Sequence, residues 1–172
     1  CSGLVGSEMC IRDSDRCVLI SENRPEWLIS DLAIMLAGGI SVPSYTTYTT
    51  KDYEYIIKDC EPSVLIVSNN TQFNKIKDIL DYKKIKKIIS FDRLENLKFQ
   101  NYLCIEDIIN KKDGFENFDS EISLKRSDPA CIIYTSGTQG NPKGVILSHG
   151  GILSNCEGGY ELLKSIISKD MK

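Results

Sequence analysis

The 172 residues are 41% hydrophobic and 26% charged, a composition typical of an ordinary globular protein. The formal net charge of −3 argues against a general nucleic-acid binder, because neutralising phosphates needs a net basic face. The longest apolar stretch, residues 27–37, is interrupted by Ser30 and Asp31 and is far shorter than the roughly 20 residues of a membrane-spanning helix.

Short apolar runs alternate with segments of helical periodicity from residue 17 onward. The predicted strands cover residues 17–20, 40–43, 64–67, 85–91, 130–134 and 145–147, and the predicted helices cover 25–36, 51–59, 71–82 and the chain from about 152. Residues 92–127 are more polar, with a short element predicted at 103–109 and a linker at 113–121. This alternation predicts an α/β fold, a layered and mostly parallel sheet with flanking helices.

Three local features refine this prediction. The helix over residues 25–36 is apolar nearly all round, which predicts a buried helix, and Gly38 and Gly39 end it. Thr50 is predicted to cap the next helix. The seven cysteines are widely spaced and contain no CxxC pair, which indicates reduced thiols in a cytosolic protein, most of them in the core.

The two ends of the chain lead to separate expectations. Residues 1–14 show no periodicity and resemble a translated adaptor remnant, so we treat them as a non-native or disordered leader. The chain has no initiator Met, and it stops at Lys172 inside a helical pattern. We therefore expect truncation at both ends.

One loop carries the sharpest chemical signal. Residues 135–144 lie between two apolar strands and combine three hydroxyl side chains, three glycines and one lysine: Thr135, Ser136, Thr138, Gly137, Gly140, Gly144 and Lys143. Glycines let backbone N–H groups approach a ligand closely, and successive N–H groups form an anion-binding concavity. Hydroxyl donors and a lysine ammonium suit phosphate, so the loop predicts a polyphosphate site.

Two other interpretations fit this loop less well. It is not a Walker A loop, because Gly144 follows Lys143 where that motif has Ser or Thr, and a strand comes next instead of a helix. A surface hairpin that binds nothing would need only two or three turn residues, and ten residues exceed that need.

Residues 134–149, YTSGTQGNPKGVILSH, resemble the signature of the AMP-forming adenylate superfamily, which includes acyl-CoA synthetases, firefly luciferase and peptide-synthetase adenylation domains. Residues 21–27, SENRPEW, and 31–47, DLAIMLAGGISVPSYTT, resemble the N-terminal region of long-chain fatty acid–CoA ligases. The resemblance covers residues 15 to 160. It implies that residues 15–172 are a partial N-terminal adenylation domain without its C-terminal remainder and lid domain.

The resemblance also implies the reaction. A fatty acid attacks Mg-ATP to give acyl-AMP and pyrophosphate, and coenzyme A then gives acyl-CoA, so ATP, Mg²⁺ and coenzyme A are the expected cofactors. The 172-residue chain alone is expected to be inactive.

Two alternatives to fatty-acid activation stay open. One is adenylation of an aryl, medium-chain or amino acid, and the other is a non-catalytic nucleotide-binding module. The expected location is cytoplasmic, with weak peripheral contact at the inner membrane face.

Site residues follow from the matching positions. The backbone of residues 136–140 (Ser136, Gly137, Thr138, Gln139 and Gly140), with the Thr138 hydroxyl, would hold the β and γ phosphates. Thr135 would reach Mg²⁺, and Lys143 would neutralise pyrophosphate charge, so Lys143 and Thr138 are the catalytic candidates. Gln139 replaces the usual Thr and keeps an amide donor. His149, the single histidine, is either a helix-start residue or a site residue.

Overall fold

The computed structural model describes residues 14–110, 123–135 and 142–170, and side chains as far as residue 164. The described elements follow in chain order as β1 (Arg16–Ile20), α1 (Pro25–Leu36), β2 (Ile40–Ser44), α2 (Thr50–Cys60), β3 (Val64–Val67), α3 (Asn70–Ile76), β4 (Lys87–Ser90), β5 (Tyr102–Cys104), α4 (Ile105–Asn110), β6 (Pro129–Thr135), β7 (Lys143–Ser148) and α5 (His149–Asp170).

The described strands form one sheet in the order β5-β4-β3-β1-β2-β6-β7. Neighbouring strands are parallel, except for the antiparallel pair of β6 and β7. The central strand β1 pairs with β2 from Arg16↔Ile40 to Ile20↔Ser44, and with β3 on its other side. The predicted fold class, a mostly parallel sheet with flanking helices, is confirmed.

Alternate residues of the central strands face two different cores. Val18 and Ile20 pack with α2 and α3 residues such as Tyr53 and Phe73 on one side of the sheet. Cys17 and Leu19 pack on the other side with Ile34 of α1 and with residues from β3 and β4. Both faces of a parallel sheet are covered in this way, which explains why its strands are continuous apolar runs.

Helix α1 differs from the prediction of a buried helix. Within α1 only Ser30 and Ile34 are buried, whereas four large apolar side chains are between 48% and 60% exposed: Leu28, Ile29, Leu32 and Leu36. A helix layered on a sheet touches that sheet with one side only, and no described element covers the outer side of α1. The prediction of burial all round is therefore wrong.

Several element boundaries also move. Helix α3 ends at Ile76 and not near residue 82, although Leu80 stays in the core and Ile79 packs against it. The short element predicted at 103–109 is in fact two elements, the edge strand β5 and the short helix α4. Helix α5 begins at His149, before the predicted start near residue 152. Among the helices in the described residues, none combines the length and the hydrophobicity that a membrane span requires.

The described cysteines are free thiols. Cys17, Cys60, Cys104 and Cys131 are buried, whereas Cys156 is exposed. Burial raises the pKa of Cys17 and of Cys60 to about 12. These two thiols therefore stay protonated at neutral pH and act as small apolar core residues.

Helix α2 begins with a capping box one residue earlier than predicted. The Asp52 amide donates to the Thr49 hydroxyl at 3.4 Å, and the Thr49 amide donates to Asp52 Oδ2 at 2.8 Å. Hydrogen bonds with Thr49 hold the pKa of Asp52 below its usual value. The predicted capping residue Thr50 is instead the first helical residue, so that prediction is wrong by one position.

The two adjacent threonines allow a matched test of this cap. We expect Thr49→Ala to lower the free energy of unfolding by about 1 kcal/mol, because it leaves an amide of the first turn without its acceptor. Thr50→Ala removes no cap and is expected to change it by less than about 0.5 kcal/mol. Urea unfolding of the 172-residue chain measures both values, and an equal loss for the two variants would contradict the assignment of Thr49 as the cap.

Candidate functional site

The two described ends of the glycine-rich loop meet at one edge of the sheet. Thr135 is the last residue of β6, Lys143 is the first residue of β7, and the two are register partners. Strand β6 runs parallel to β2, so Thr135 lies at the edge where the parallel strands have their carboxyl ends. Open α/β sheets bind ligands at this edge.

Thr135 and Lys143 also share a face of the sheet. Directly opposed residues of an antiparallel pair have neighbouring side chains on the same face, with Cβ atoms about 4.5–5.5 Å apart. Both residues are exposed. The hairpin thus presents a hydroxyl and an ammonium group side by side at the base of the loop, a pair that suits a phosphate oxygen.

The other predicted phosphate ligands are Ser136, Gly137, Thr138, Gln139 and Gly140. They lie outside the described residues, so their predicted roles stay predictions.

A groove of about 500 Å³ opens next to this hairpin. Its lining combines the carboxyl ends of β1 and β2, the start of α1 and the end of β6: Ser21, Glu22, Asn23, Trp27, Pro43, Ser44, Tyr45, Thr46, Ile133 and Tyr134. Trp27 belongs both to this lining and to the margin of the core under α1. The groove therefore adjoins the strand that leads into the loop.

Charged residues of the segment 21–27, SENRPEW, connect the carboxyl ends of the strands to neighbouring elements. Gln72 Nε2 of α3 donates to Glu22 Oε1 at 2.8 Å. The pKa of Glu22 lies below its usual value, chiefly because of the Ser68 hydroxyl and with smaller contributions from Gln72 and Asn69, while partial burial opposes them. Glu22 is therefore a carboxylate at neutral pH that joins the end of β1 to α3.

Arg24 makes a second tie at the same edge. Its Nη1 lies 3.0 Å from each carboxylate oxygen of Asp92, which follows β4. Its Nε and Nη2 each lie 3.3 Å from a carboxylate oxygen of Glu26, and its guanidinium lies 5.6 Å from the centre of the Phe91 ring. The sequence resemblance singled out this segment. The interactions of Glu22 and Arg24 could not be predicted from the sequence, because their partners become neighbours only through the order of the strands.

A cluster of tyrosines connects the loop after β2 to β6. The Tyr53 hydroxyl donates to the Tyr45 carbonyl at 2.7 Å, and the Tyr48 hydroxyl donates to the Tyr134 carbonyl at 3.4 Å. Tyr48 also makes edge-to-face ring contacts with Tyr45 and Tyr53. The local sequence does not decide whether Tyr45 and Tyr48 lie on the surface or at the rim of a pocket. The structure places Tyr45 in the groove lining and Tyr48 against the core.

His149 lies at the other end of the hairpin. It is the first residue of α5 and follows Ser148, the residue of β7 farthest from Lys143. Its backbone amide donates to the Asp128 carbonyl at 3.0 Å. Of the two roles predicted for His149, this position corresponds to the helix-start residue.

Few described protein atoms near the hairpin could bind a metal ion. Within the described ranges, no cluster of three or more His, Cys, Asp or Glu residues is arranged to hold a metal ion. The exposed hydroxyl of Thr135 is an oxygen ligand of the kind that Mg²⁺ accepts. Mg²⁺ commonly binds through one or two protein oxygens together with substrate phosphates and water, so this donor set fits an ion delivered with a nucleotide.

The fold and the loop position define an α/β protein whose glycine-rich hairpin loop starts and ends at the carboxyl edge of its parallel strands. The chain belongs to the AMP-binding enzyme family, whose match covers residues 3–168.

Two curated relatives are long-chain-fatty-acid–CoA ligases. ACSBG2 of Xenopus laevis is 36% identical over 138 residues, which cover 78% of this chain and 19% of the relative. ACSBG1 of Rattus norvegicus is 33% identical over 138 residues, again with 78% and 19% covered. The chain thus spans only about a fifth of the length of these relatives.

A solved structure of MatB from Rhodopseudomonas palustris with ATP bound is also similar. It superposes with a TM-score of 0.65 at 28% identity, over 84% of this chain and 27% of MatB.

Proposed function

We propose that the full-length protein activates a long-chain fatty acid with ATP and transfers the acyl group to coenzyme A. The observation that carries this proposal is the pairing of Thr135 with Lys143 at the carboxyl edge of the sheet, where they frame the glycine-rich loop. Support comes from the family, from relatives named as long-chain-fatty-acid–CoA ligases, and from a similar structure that holds ATP.

The first half-reaction displaces pyrophosphate. A carboxylate oxygen of the fatty acid attacks the α-phosphorus of ATP, the bond from that phosphorus to the β-phosphate oxygen breaks, and pyrophosphate leaves with the additional negative charge. The Lys143 ammonium stabilises this charge, and the backbone N–H groups of residues 136–140, with the Thr138 hydroxyl and the Gln139 amide, bind the β and γ phosphates. Electrostatic stabilisation by fixed donors is commonly the largest contribution to such a step.

The second half-reaction uses the activated acyl group. The thiol of coenzyme A loses its proton and attacks the acyl carbon, and AMP leaves with the electrons of the broken acyl–oxygen bond. Mg²⁺, when bound, would supply further positive charge to the phosphates, and the Thr135 hydroxyl would be a protein ligand for it. The described residues act in the first step, by binding and orienting the phosphates.

Pyrophosphate exchange with a panel of acids tests the proposal. We expect the full-length protein to incorporate labelled pyrophosphate into ATP only when an acid is added, with a long-chain fatty acid more effective than medium-chain, aryl or amino acids. A reaction without added acid is the control. ATP binding without acid-dependent exchange would favour a nucleotide-binding module, and a preference for another acid would overturn the substrate class.

A further inference from the structure

We propose that Tyr134 is a positioning residue for the ATP phosphates, because its side chain holds Thr135 and Lys143 opposite each other at the base of the loop. This inference rests on the proposed function. Tyr134 immediately precedes Thr135 in β6, and its register partner Gly144 immediately follows Lys143 in β7. Any movement of the Tyr134–Gly144 pair therefore moves the two groups that frame the loop.

The hydroxyl of Tyr134 anchors the hairpin to a helix. It donates a hydrogen bond of 2.6 Å to Asp59 Oδ2, near the end of α2, and the tyrosine is only 3% exposed. Burial and the bond to Asp59 both raise the pKa of Tyr134, so the phenol keeps its proton and remains a donor. Helix α2 packs on the side of the sheet opposite to α1, so this bond fixes the end of β6 to that layer.

The ring of Tyr134 fixes the register of the hairpin. A Cβ atom added at Gly144 would lie 3.2 Å from Tyr134 Cζ and 3.0 Å from Ile132 Cγ2, closer than ordinary van der Waals contact. The tyrosine ring thus occupies the space above Gly144, and this space exists only because residue 144 has no side chain. A shift of one residue would bring Lys143 or Val145 under the ring, and register in a β pair sets which face each side chain takes.

A third contact joins Tyr134 to the groove. The hydroxyl of Tyr48, in the loop between β2 and α2, donates to the Tyr134 carbonyl at 3.4 Å. The Lys75 ammonium of α3 donates to the carbonyl of Thr46 in that β2–α2 loop. The strand end that carries Thr135 is therefore held by α2 through Tyr134 and Asp59, and by the β2–α2 loop through Tyr48.

The test compares two tyrosine hydroxyls of one sheet in the full-length protein. Tyr134→Phe keeps the ring and removes the bond to Asp59. Tyr102→Phe is the matched control. The Tyr102 hydroxyl forms hydrogen bonds with Ser90 Oγ and the Leu94 amide, both at 2.8 Å, and Tyr102 lies on β5, the edge strand at the opposite end of the strand order from β7. We expect Tyr134→Phe to raise the KM for ATP about fivefold and to lower kcat as well, because it displaces Lys143, with the KM for the acid changed less than about twofold. Tyr102→Phe should lower the melting temperature but leave the KM for ATP unchanged.

Variants of Asp59 separate positioning from general stability. Asp59→Ala should raise the KM for ATP as Tyr134→Phe does, Asp59→Asn should restore much of the loss by keeping an oxygen acceptor, and the double variant Tyr134→Phe/Asp59→Ala should add nothing further. Equal KM values for ATP in Tyr134→Phe and Tyr102→Phe would overturn the proposal.

Lys143→Ala in the same assay separates the two proposals. A raised KM for ATP with Lys143→Ala and an unchanged one with Tyr134→Phe would reject the positioning role and keep the phosphate site. No change in either variant would reject the phosphate site and the positioning role together.

Discussion

Lys143→Ala in the full-length protein is expected to lower kcat/KM for ATP by about a hundredfold in fatty-acid-dependent pyrophosphate exchange. Lys143 is exposed at the first position of β7, beside Thr135 and at the end of the loop. In the proposed function its ammonium meets the leaving pyrophosphate there. Interactions with this charge strengthen as the bond to the α-phosphorus breaks, so the loss should appear in kcat as well as in the KM for ATP.

Two control variants sharpen this prediction. Lys143→Arg keeps the positive charge and should retain a larger share of the activity, although a planar guanidinium does not reproduce a compact ammonium. Lys125→Ala removes another exposed lysine, near the opposite end of β6, and should leave the kinetics for ATP unchanged. Equal kcat/KM values for ATP in Lys143→Ala and Lys125→Ala would show that Lys143 does not bind the phosphates.

Leu19→Ala is expected to lower the free energy of unfolding of the 172-residue chain by about 3 kcal/mol. Leu19 lies in the central strand β1, is 0% exposed and packs in the core beneath α1. Truncation removes apolar contacts and leaves a cavity between sheet and helix that the surrounding strands cannot close, because they pair on both sides of β1.

Leu32→Ala provides the matched control for Leu19→Ala. It makes the same chemical change in α1, at a side chain that is 48% exposed, and should cost less than about 1 kcal/mol. Urea unfolding of both variants gives the comparison. Similar losses at the two positions would show that the outer side of α1 is packed, and would restore the expectation of a helix buried all round.

Local sequence predicted most strands because buried parallel strands are short, continuous runs of branched apolar residues. The run Val64–Val67 coincides with β3, and Pro25 begins α1 as predicted. Helix boundaries were less accurate. Thr49 and Thr50 have the same chemistry, and only the backbone geometry around Asp52 shows which of them caps α2.

The amino-acid sequence alone determined the alternating α/β pattern, the family and the loop composition that suits phosphate, because each of these depends on residue types in consecutive positions. The tertiary structure decided which side of α1 is covered, how β6 and β7 pair, and how Glu22, Arg24 and Tyr134 are anchored. Tyr134 and Asp59 are 75 positions apart in the sequence. Arg24 and Glu22 are likewise tens of residues away from the side chains that they contact. Such contacts depend on strand order and on which face each side chain takes, and neither can be read from local composition.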